Sequence, residues 1–217
     1  MKRNIIIKVC GMKHTANRQE IDKLPVDLLG FIFYSRSKRF VGAEYEPGLF
    51  NTPKKKTGVF VNENIFEMMG LAKNLGFAYI QLHGRENPDT CRILKKQGLK
   101  VIKAFNLHDE FDFSVLLPYE KNVSYFLFDT RSSLPGGSGK KFNWQVLEKY
   151  TGNTPFFLSG GIQPGDADAI LQLDHPKLYG IDLNSGFEDE PGLKNIEKLK
   201  NFISVIKGQQ RAEAAAT

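Results

Sequence analysis

Eight strand-like runs alternate with helical or turn-like segments, and this alternation limits the fold more than any other feature of the chain. The runs lie near residues 4–9, 27–34, 57–62, 78–82, 99–105, 124–129, 155–159 and 179–183. Such alternation is typical of parallel sheets, because neighbouring parallel strands need a crossover connection that is usually a helix. Eight units of this kind are the number that closes a barrel. We therefore expect an α/β chain that forms a single (β/α)8 TIM barrel.

The segments between the runs carry helix signals of their own. A stripe at helical spacing, suited to cover the outside of a barrel, consists of Ile65, Met68, Met69, Ala72 and Leu75. Asn87-Pro88-Asp89 reads as a cap, a first-turn proline and a favourable acid, and Gly98 marks the end of that helix. The segment 106–118 leaves room for only a short helix. A last helix is expected to end at Gly208.

One domain is the simplest organisation for 217 residues of this composition. With 41% hydrophobic and 25% charged residues, the chain reads as an ordinary globular protein, and neither disorder nor a membrane span is indicated. No linker rich in proline, glycine or serine divides it. We expect residues 1–208 to form the barrel and residues 209–217, which have no apolar face, to be a frayed C-terminal tail.

Charge and cysteine content indicate the cellular compartment and the kind of ligand. The apolar stretch Ile5-Ile6-Ile7 is stopped by Lys8, far short of a signal-peptide core, so a cytoplasmic protein is expected. Cys10 and Cys91 lack metal-ligand spacing, and neither a disulfide nor a metal site is predicted. The net charge of +6 is spread over scattered residues, which favours a small anionic substrate over nucleic acid. The oligomeric state, monomer or homodimer, is left open.

A thiol and a carboxylate stand at the ends of two distant strands. Cys10 closes the first run and Asp129 closes the sixth, and strand ends of this kind meet at one face of a barrel. Alternation along the first strand puts Lys8 one layer beneath the thiol, where a cation favours thiolate. The alternatives are a buried cysteine that only fills space and an aspartate that caps a helix or pairs with a cation.

Three further polar residues follow predicted strands. Arg39, in the loop after the second strand, has the chemistry to clamp a carboxylate, although a solvated basic loop is the other reading. His83 ends the fourth strand and is assigned to substrate positioning or to packing, with a catalytic role as the alternative. Asp182 ends the eighth strand and is a candidate to hold substrate hydroxyls.

Glycine-bearing turns follow the seventh and eighth strands. In (β/α)8 barrels the loops at this position recurrently bind phosphate through backbone N–H groups. A third glycine-rich segment, 136–139, follows Asp129 and is read as a lid or as a flexible connection. The predicted phosphate-binding residues are Gly137, Gly139, Gly160, Gly161, Ser185 and Gly186.

Taken in order along nearly the whole chain, these motifs resemble the phosphoribosylanthranilate isomerase family. The resemblance rests on Lys8-Val9-Cys10-Gly11, Gly30-Phe31-Ile32-Phe33-Tyr34, Ser37-Lys38-Arg39-Phe40-Val41, Gly58-Val59-Phe60-Val61-Asn62, Gln81-Leu82-His83-Gly84, Phe128-Asp129-Thr130, Gly136-Gly137-Ser138-Gly139-Lys140, Phe142-Asn143-Trp144, Leu158-Ser159-Gly160-Gly161-Ile162 and Asp182-Leu183-Asn184-Ser185-Gly186. It implies a (β/α)8 barrel and an Amadori rearrangement of N-(5-phosphoribosyl)anthranilate in tryptophan biosynthesis, without a cofactor.

Residue roles carried over from the resemblance make Cys10 the general base and Asp129 the general acid. Arg39 matches the contact to the anthranilate carboxylate, and Gly161 and Gly186 match the phosphate site. Two departures affect only loop contacts: Met12-Lys13 after the cysteine-glycine pair, and Phe187. Two other hypotheses stay open, namely indole-glycerol-phosphate synthase or another phosphate-binding barrel, and a barrel that binds phosphate without turnover.

Overall fold

The computed structural model describes residues 4–42, 44–130 and 144–215, with side chains described as far as residue 208. Eight parallel strands form a closed barrel in chain order, and β1 pairs with β8 to close it. The strands are β1 Ile6–Cys10, β2 Leu28–Phe33, β3 Lys55–Phe60, β4 Tyr79–Leu82, β5 Lys100–Asn106, β6 Tyr125–Asp129, β7 Phe156–Ser159 and β8 Leu178–Leu183. The predicted (β/α)8 barrel is confirmed.

Five α-helices are found in the described residues, and shorter 3-10 turns replace some of the others. The helices are α1 Thr15–Asp22, α2 Ile65–Leu75, α3 Pro88–Lys96, α4 Ala167–Gln172 and α5 Ile196–Ala215. The 3-10 turns are Phe113–Leu116, Trp144–Lys149, Pro164–Asp166 and Ser185–Phe187. After β8 the chain also forms a small antiparallel hairpin, β9 Glu188–Glu190 and β10 Leu193–Lys194.

Local signals account for the helix starts and stops. The side chain of Asn64 accepts a hydrogen bond from Phe66 N at the start of α2, and that of Asn87 accepts one from Thr90 N at the start of α3. Pro88 occupies the first turn of α3, and Gly98 follows its end with a φ of +81°. The caps predicted from the sequence around residues 87–98 are confirmed.

The predicted end of the last helix is wrong. The last helix does not end at Gly208 but continues to Ala215, because residues 209–215 are good helix formers and one glycine costs a helix only about 1 kcal/mol. The connection between β2 and β3 contains no helix in its described residues, 34–42 and 44–54, and consists of turns and bends. The division into residues 1–208 and a tail at 209–217 stays a prediction.

The barrel interior changes from apolar to polar along the strands. Side chains that point inward near the strand starts are large and apolar, among them Tyr79, Leu127 and Phe157. Outward side chains such as Ile7 and Val9 are fully buried in the layer between strands and helices. At the C-terminal strand ends the inward positions are polar, as at Cys10 and the other residues described below. No helix in the described part of the chain is long and apolar enough to cross a membrane.

Candidate active site

One cavity of about 400 Å³ opens at the C-terminal ends of the barrel strands. Every predicted site residue within the described ranges lines it. These residues are Cys10, Arg39, His83, Asp129, Gly160, Gly161, Asp182, Ser185 and Gly186. The other two, Gly137 and Gly139, lie outside the described residues. Folding thus brings together residues from six of the eight strand ends or the loops that follow them.

Cys10 lies directly above a buried ion pair. Lys8 Nζ is 2.9 Å from both carboxylate oxygens of Asp182, because Lys8 and Asp182 are register partners on β1 and β8. Gly30, on the neighbouring strand, leaves room for the cluster. A Cβ atom at position 30 would lie 2.7 Å from Cys10 Sγ and 3.1 Å from Lys8 Nζ. The thiol and the ammonium group therefore converge on one small space.

Burial and neighbouring charges act in opposite directions on the pKa of Lys8 and on that of Cys10. Burial by itself lowers the pKa of Lys8, but Asp182 and Cys10 outweigh it and hold that pKa above its ordinary value. Burial raises the pKa of the Cys10 thiol, and the ammonium groups of Lys8 and Lys194 offset this only in part. Lys8 favours the thiolate, as the sequence predicts, but burial is the stronger effect and leaves the pKa of Cys10 raised.

Asp129 ends β6 on the same face of the barrel, next to His83. Its Oδ2 atom is 3.6 Å from His83 Nε2. On the far side of the ring, Gln81 Nε2 is 3.0 Å from His83 Nδ1. The two contacts hold the His83 ring between Gln81 and Asp129.

Arg39 is not a solvated loop residue. Its side chain is only 18% exposed, and its guanidinium forms an ion pair with Glu188 on β9. Glu188 also accepts a hydrogen bond from the buried Lys194, which lies on β10. Hydrogen bonding to Glu188 is the largest cause that raises the pKa of Arg39, so the group stays charged.

The glycine turns after β7 and β8 lie against each other. Gly160 and Gly161 have φ values of +91° and +65°, which favour glycine. A Cβ atom at Gly186 would lie 2.1 Å from the carbonyl oxygen of Ile162. No described residue accepts a hydrogen bond from the backbone N–H of Gly160 or Gly161. The two turns therefore form one backbone surface with N–H donors, at the position where barrels of this kind bind phosphate.

The family assignment follows from comparison with known proteins. The family model described as N-(5'-phosphoribosyl)anthranilate (PRA) isomerase matches residues 7–205. The chain belongs to the phosphoribosylanthranilate isomerase family. A relative of that name from Parabacteroides distasonis is 51% identical over 206 residues, 93% of each chain. Another from Phocaeicola vulgatus is 46% identical and covers 94% of this chain and 98% of the relative.

Solved structures agree with the assignment to the phosphoribosylanthranilate isomerase family. The enzyme from Thermotoga maritima superposes with a TM-score of 0.80 at 29% identity, covering 94% of this chain and all of that one. A second structure, in complex with reduced 1-(o-carboxyphenylamino)-1-deoxyribulose 5-phosphate, has a TM-score of 0.75 at 26% identity with the same coverage. The described residues contain no cluster of three or more histidine, cysteine, aspartate or glutamate side chains arranged to hold a metal ion.

Three residues of this isomerase-family site were missed by the sequence reasoning. Glu188 and Lys194 contact Arg39 or its partner, and Gln81 contacts His83. Pro191-Gly192 is a turn signal that would have predicted the β9–β10 hairpin carrying the first two residues. Gln81 precedes His83 by two positions on the same strand, so alternation alone places both on one face.

Proposed function

We propose that the chain catalyses the Amadori rearrangement of N-(5-phosphoribosyl)anthranilate to 1-(2-carboxyphenylamino)-1-deoxyribulose 5-phosphate in tryptophan biosynthesis. The observation that carries the proposal is that Cys10 and Asp129, at the ends of β1 and β6, line one cavity together with a cation and a glycine-turn surface. The family relationship supports the same reaction. Cys10 acts as the general base and Asp129 as the general acid.

Ring opening is the task of Asp129. The carboxylic acid donates its proton to the ring oxygen of the aminofuranose, the bond between C1 and that oxygen breaks, and the nitrogen lone pair forms an iminium ion. His83 Nε2, near Asp129 Oδ2, is placed to stabilise the carboxylate that remains. A positioned acid of this kind contributes about 10²–10⁴ in rate.

Proton abstraction is the task of Cys10. The iminium ion makes the C2 proton acidic, and its positive charge, added to that of Lys8, favours thiolate at the moment when the base is needed. Removal of the C2 proton gives an enolamine, which tautomerises to the ketone. Asp129 gives one proton to the ring oxygen, and Cys10 takes one proton from C2. In the substrate, C2 is oxidised as C1 is reduced. Solvent then returns the proton from the thiol to Asp129. The iminium cation opposes the effect of burial, which raises the pKa of the thiol.

The remaining site residues bind the two anionic ends of the substrate. Arg39 contacts the anthranilate carboxylate. The backbone N–H groups around Gly160, Gly161, Ser185 and Gly186 bind the phosphate. His83 and Asp182 hold the sugar, since each Asp182 oxygen that accepts from Lys8 keeps a second lone pair for a hydroxyl.

The proposal also covers the location of the enzyme, its oligomeric state and its ligand. We place the enzyme in the cytoplasm, as a monomer or a homodimer, with no cofactor and with a small anionic substrate as its ligand. Gly137 and Gly139 are assigned to a lid over the phosphate on the basis of the sequence alone.

Turnover of the proposed substrate is the direct test. The protein is incubated with freshly prepared phosphoribosylanthranilate, and the loss of anthranilate fluorescence is followed. Rapid loss that depends on the amount of protein supports the proposal, and the product is identified as the carboxyphenylamino ketose by mass and by its reduction with borohydride. No loss above the spontaneous rate, with a folded protein, would leave phosphate binding without turnover. Conversion of separately supplied 1-(2-carboxyphenylamino)-1-deoxyribulose 5-phosphate to an indole, without turnover of phosphoribosylanthranilate, would indicate the synthase instead.

A further inference from the structure

Glu188 holds the Arg39 guanidinium by one edge only. Arg39 Nε is 2.8 and 3.0 Å from the two carboxylate oxygens, and Arg39 Nη2 is 2.5 Å from Oε2. Among the described residues, Nη1 has no hydrogen-bond partner, and Arg39 lines the cavity. A guanidinium is a rigid planar fork with five N–H groups. The edge formed by Nη1 and the second N–H of Nη2 is thus left for a ligand.

Because Lys194 also pairs with Glu188, the charge of Glu188 does not fully neutralise the Arg39 guanidinium. Its Nζ atom is 2.5 Å from Glu188 Oε1 and 2.8 Å from Asn184 Oδ1, and its side chain is fully buried. Burial pushes the pKa of Glu188 upward, but hydrogen bonds from Arg39 and Lys194 outweigh it and lower that pKa. Burial lowers the pKa of Lys194, and the hydrogen bond and charge of Glu188 oppose this shift. With Arg39 and Lys194 both charged, the cluster of Arg39, Glu188 and Lys194 has a net charge of +1. A buried excess charge is costly, so one ligand carboxylate would balance it.

The cluster of Arg39, Glu188 and Lys194 is held in place from two directions. Gly192 N donates to Glu188 Oε1 at 3.1 Å across the β9–β10 hairpin. Gly11, directly after Cys10, lies against the other side. A Cβ atom at position 11 would be 2.7 Å from Arg39 Cδ and 2.9 Å from Asn184 Oδ1. The guanidinium is therefore packed between the hairpin and the loop that follows the thiol.

We propose that Glu188 and Lys194 are positioning residues for recognition of the substrate carboxylate. Glu188 fixes the plane and the free edge of the Arg39 guanidinium, and Lys194 supplies the charge that keeps the cluster one cation in excess. The hairpin after β8 thereby sets the preference for a carboxylated arylamine over an arylamine without a carboxylate. The inference rests on the proposed function, which assigns that carboxylate to Arg39.

Two ligands that differ only in the carboxylate test the inference. They are reduced 1-(2-carboxyphenylamino)-1-deoxyribulose 5-phosphate and its counterpart without the carboxyl group, with dissociation constants measured by calorimetry. A charge-assisted contact predicts that the unaltered enzyme prefers the carboxylated ligand by about 10- to 150-fold. Both Glu188 oxygens accept hydrogen bonds, from Arg39, Lys194 and Gly192, whereas Gln has one acceptor oxygen and turns its NH2 group toward one of these donors. In Glu188→Gln the guanidinium is therefore no longer fixed, and we expect this loss to outweigh the added positive charge: the preference falls about tenfold while affinity for the other ligand stays within about twofold.

The matched control is Glu190→Gln, which removes the same charge from an exposed position on the same strand. It should leave both affinities unchanged. Steady-state kinetics should show a raised KM and a nearly unchanged kcat for Glu188→Gln. In an Arg39→Ala background the Glu188 substitution should have no further effect on the preference, since Glu188 acts through Arg39.

Alternative results separate the inference from the proposed function. If Glu188→Gln keeps the full preference, or weakens both ligands equally, the positioning role is wrong although the enzyme's reaction stands. If the unaltered enzyme shows no preference, the carboxylate assignment of Arg39 fails, and the inference fails with it. Should Glu188→Gln not fold, Lys194→Met provides the same comparison, because it removes the excess charge while keeping the length of the side chain. A full preference in folded Lys194→Met would overturn the charge argument.

Discussion

Lys8 and Asp182 form a bidentate ion pair inside the barrel, with Lys8 Nζ 2.9 Å from both oxygens of a carboxylate that is 5% exposed. The pair lies beneath Cys10 and spans the seam at which β1 and β8 close the barrel. The same ion pair therefore contributes to the contact that closes the barrel and to the charges that surround Cys10.

Removing one partner of this pair should destabilise the fold strongly. In Lys8→Met the Asp182 carboxylate is left buried without a cation, which typically costs about 3–5 kcal/mol of unfolding free energy. Urea unfolding at neutral pH measures this loss. Lys23→Met is the control, because Lys23 pairs with Glu20 at the surface, where both side chains are exposed and such pairs contribute about 0–1 kcal/mol. Adding Asp182→Asn to Lys8→Met should recover part of the loss, and no recovery would contradict the uncompensated-charge explanation.

The acid and base assignments predict large rate losses with little change in stability. Asp129→Asn lacks the proton that opens the ring, and Cys10→Ser has a hydroxyl that scarcely ionises near neutral pH, so each should lower kcat by about 10²–10⁴. Cys91→Ser is the matched control, since Cys91 is fully buried on α3 and does not line the cavity. If both site variants fold and keep more than about a tenth of the kcat, the roles pass to His83 and Asp182.

Local sequence patterns were sufficient to predict the barrel and the position of Cys10 and Asp129, the proposed base and acid. A strand pattern that ends in a polar residue is a short-range signal, and the closed parallel topology then carries Cys10 and Asp129 to the same face. The glycine turns followed from the same rule. These features depend on neighbours in sequence plus one global fact, the number of strands.

The contacts between side chains distant in sequence, and the charge states of buried groups, could not be predicted from local patterns. Arg39 and Glu188 are 149 positions apart, and their contact depends on a hairpin outside the barrel pattern. Lys8 was correctly placed beneath Cys10, but its effect on the thiol depends on burial and on Asp182, which only the folded protein defines.

The contact between the two glycine turns predicts that Gly186 is essential for phosphate binding. In Gly186→Ala the new methyl group would meet the backbone oxygen of Ile162, so one turn must shift and its N–H groups move away from the ligand. Loss of a charge-assisted hydrogen bond should weaken inhibition by inorganic phosphate and raise KM about tenfold or more. Gly165→Ala is the control, because a Cβ atom there meets nothing within 4 Å. Unchanged inhibition by phosphate in folded Gly186→Ala would move the phosphate site elsewhere.

The buried thiol of Cys91 should lower the stability of the protein at alkaline pH. Burial raises the pKa of this thiol from 9.0 to about 11. Below pH 9 the thiol is protonated in both states, whereas between pH 9 and 11 only the unfolded chain releases the proton, so rising pH favours unfolding. At one pKa unit per about 1.4 kcal/mol, this thiol should remove about 2 kcal/mol of stability between pH 8 and 10.5.

Cys91→Ser isolates this contribution, because serine does not titrate in that range while every other group, including Tyr150 with a pKa raised to about 12 by burial, is present in both proteins. Urea unfolding of both proteins at pH 8 and at pH 10.5 gives four free energies. The serine variant is expected to start lower at pH 8, since a hydroxyl replaces a buried thiol, but to lose about 2 kcal/mol less on the way to pH 10.5. Equal losses in the two proteins would show that the Cys91 thiol ionises as readily in the folded barrel as in the unfolded chain.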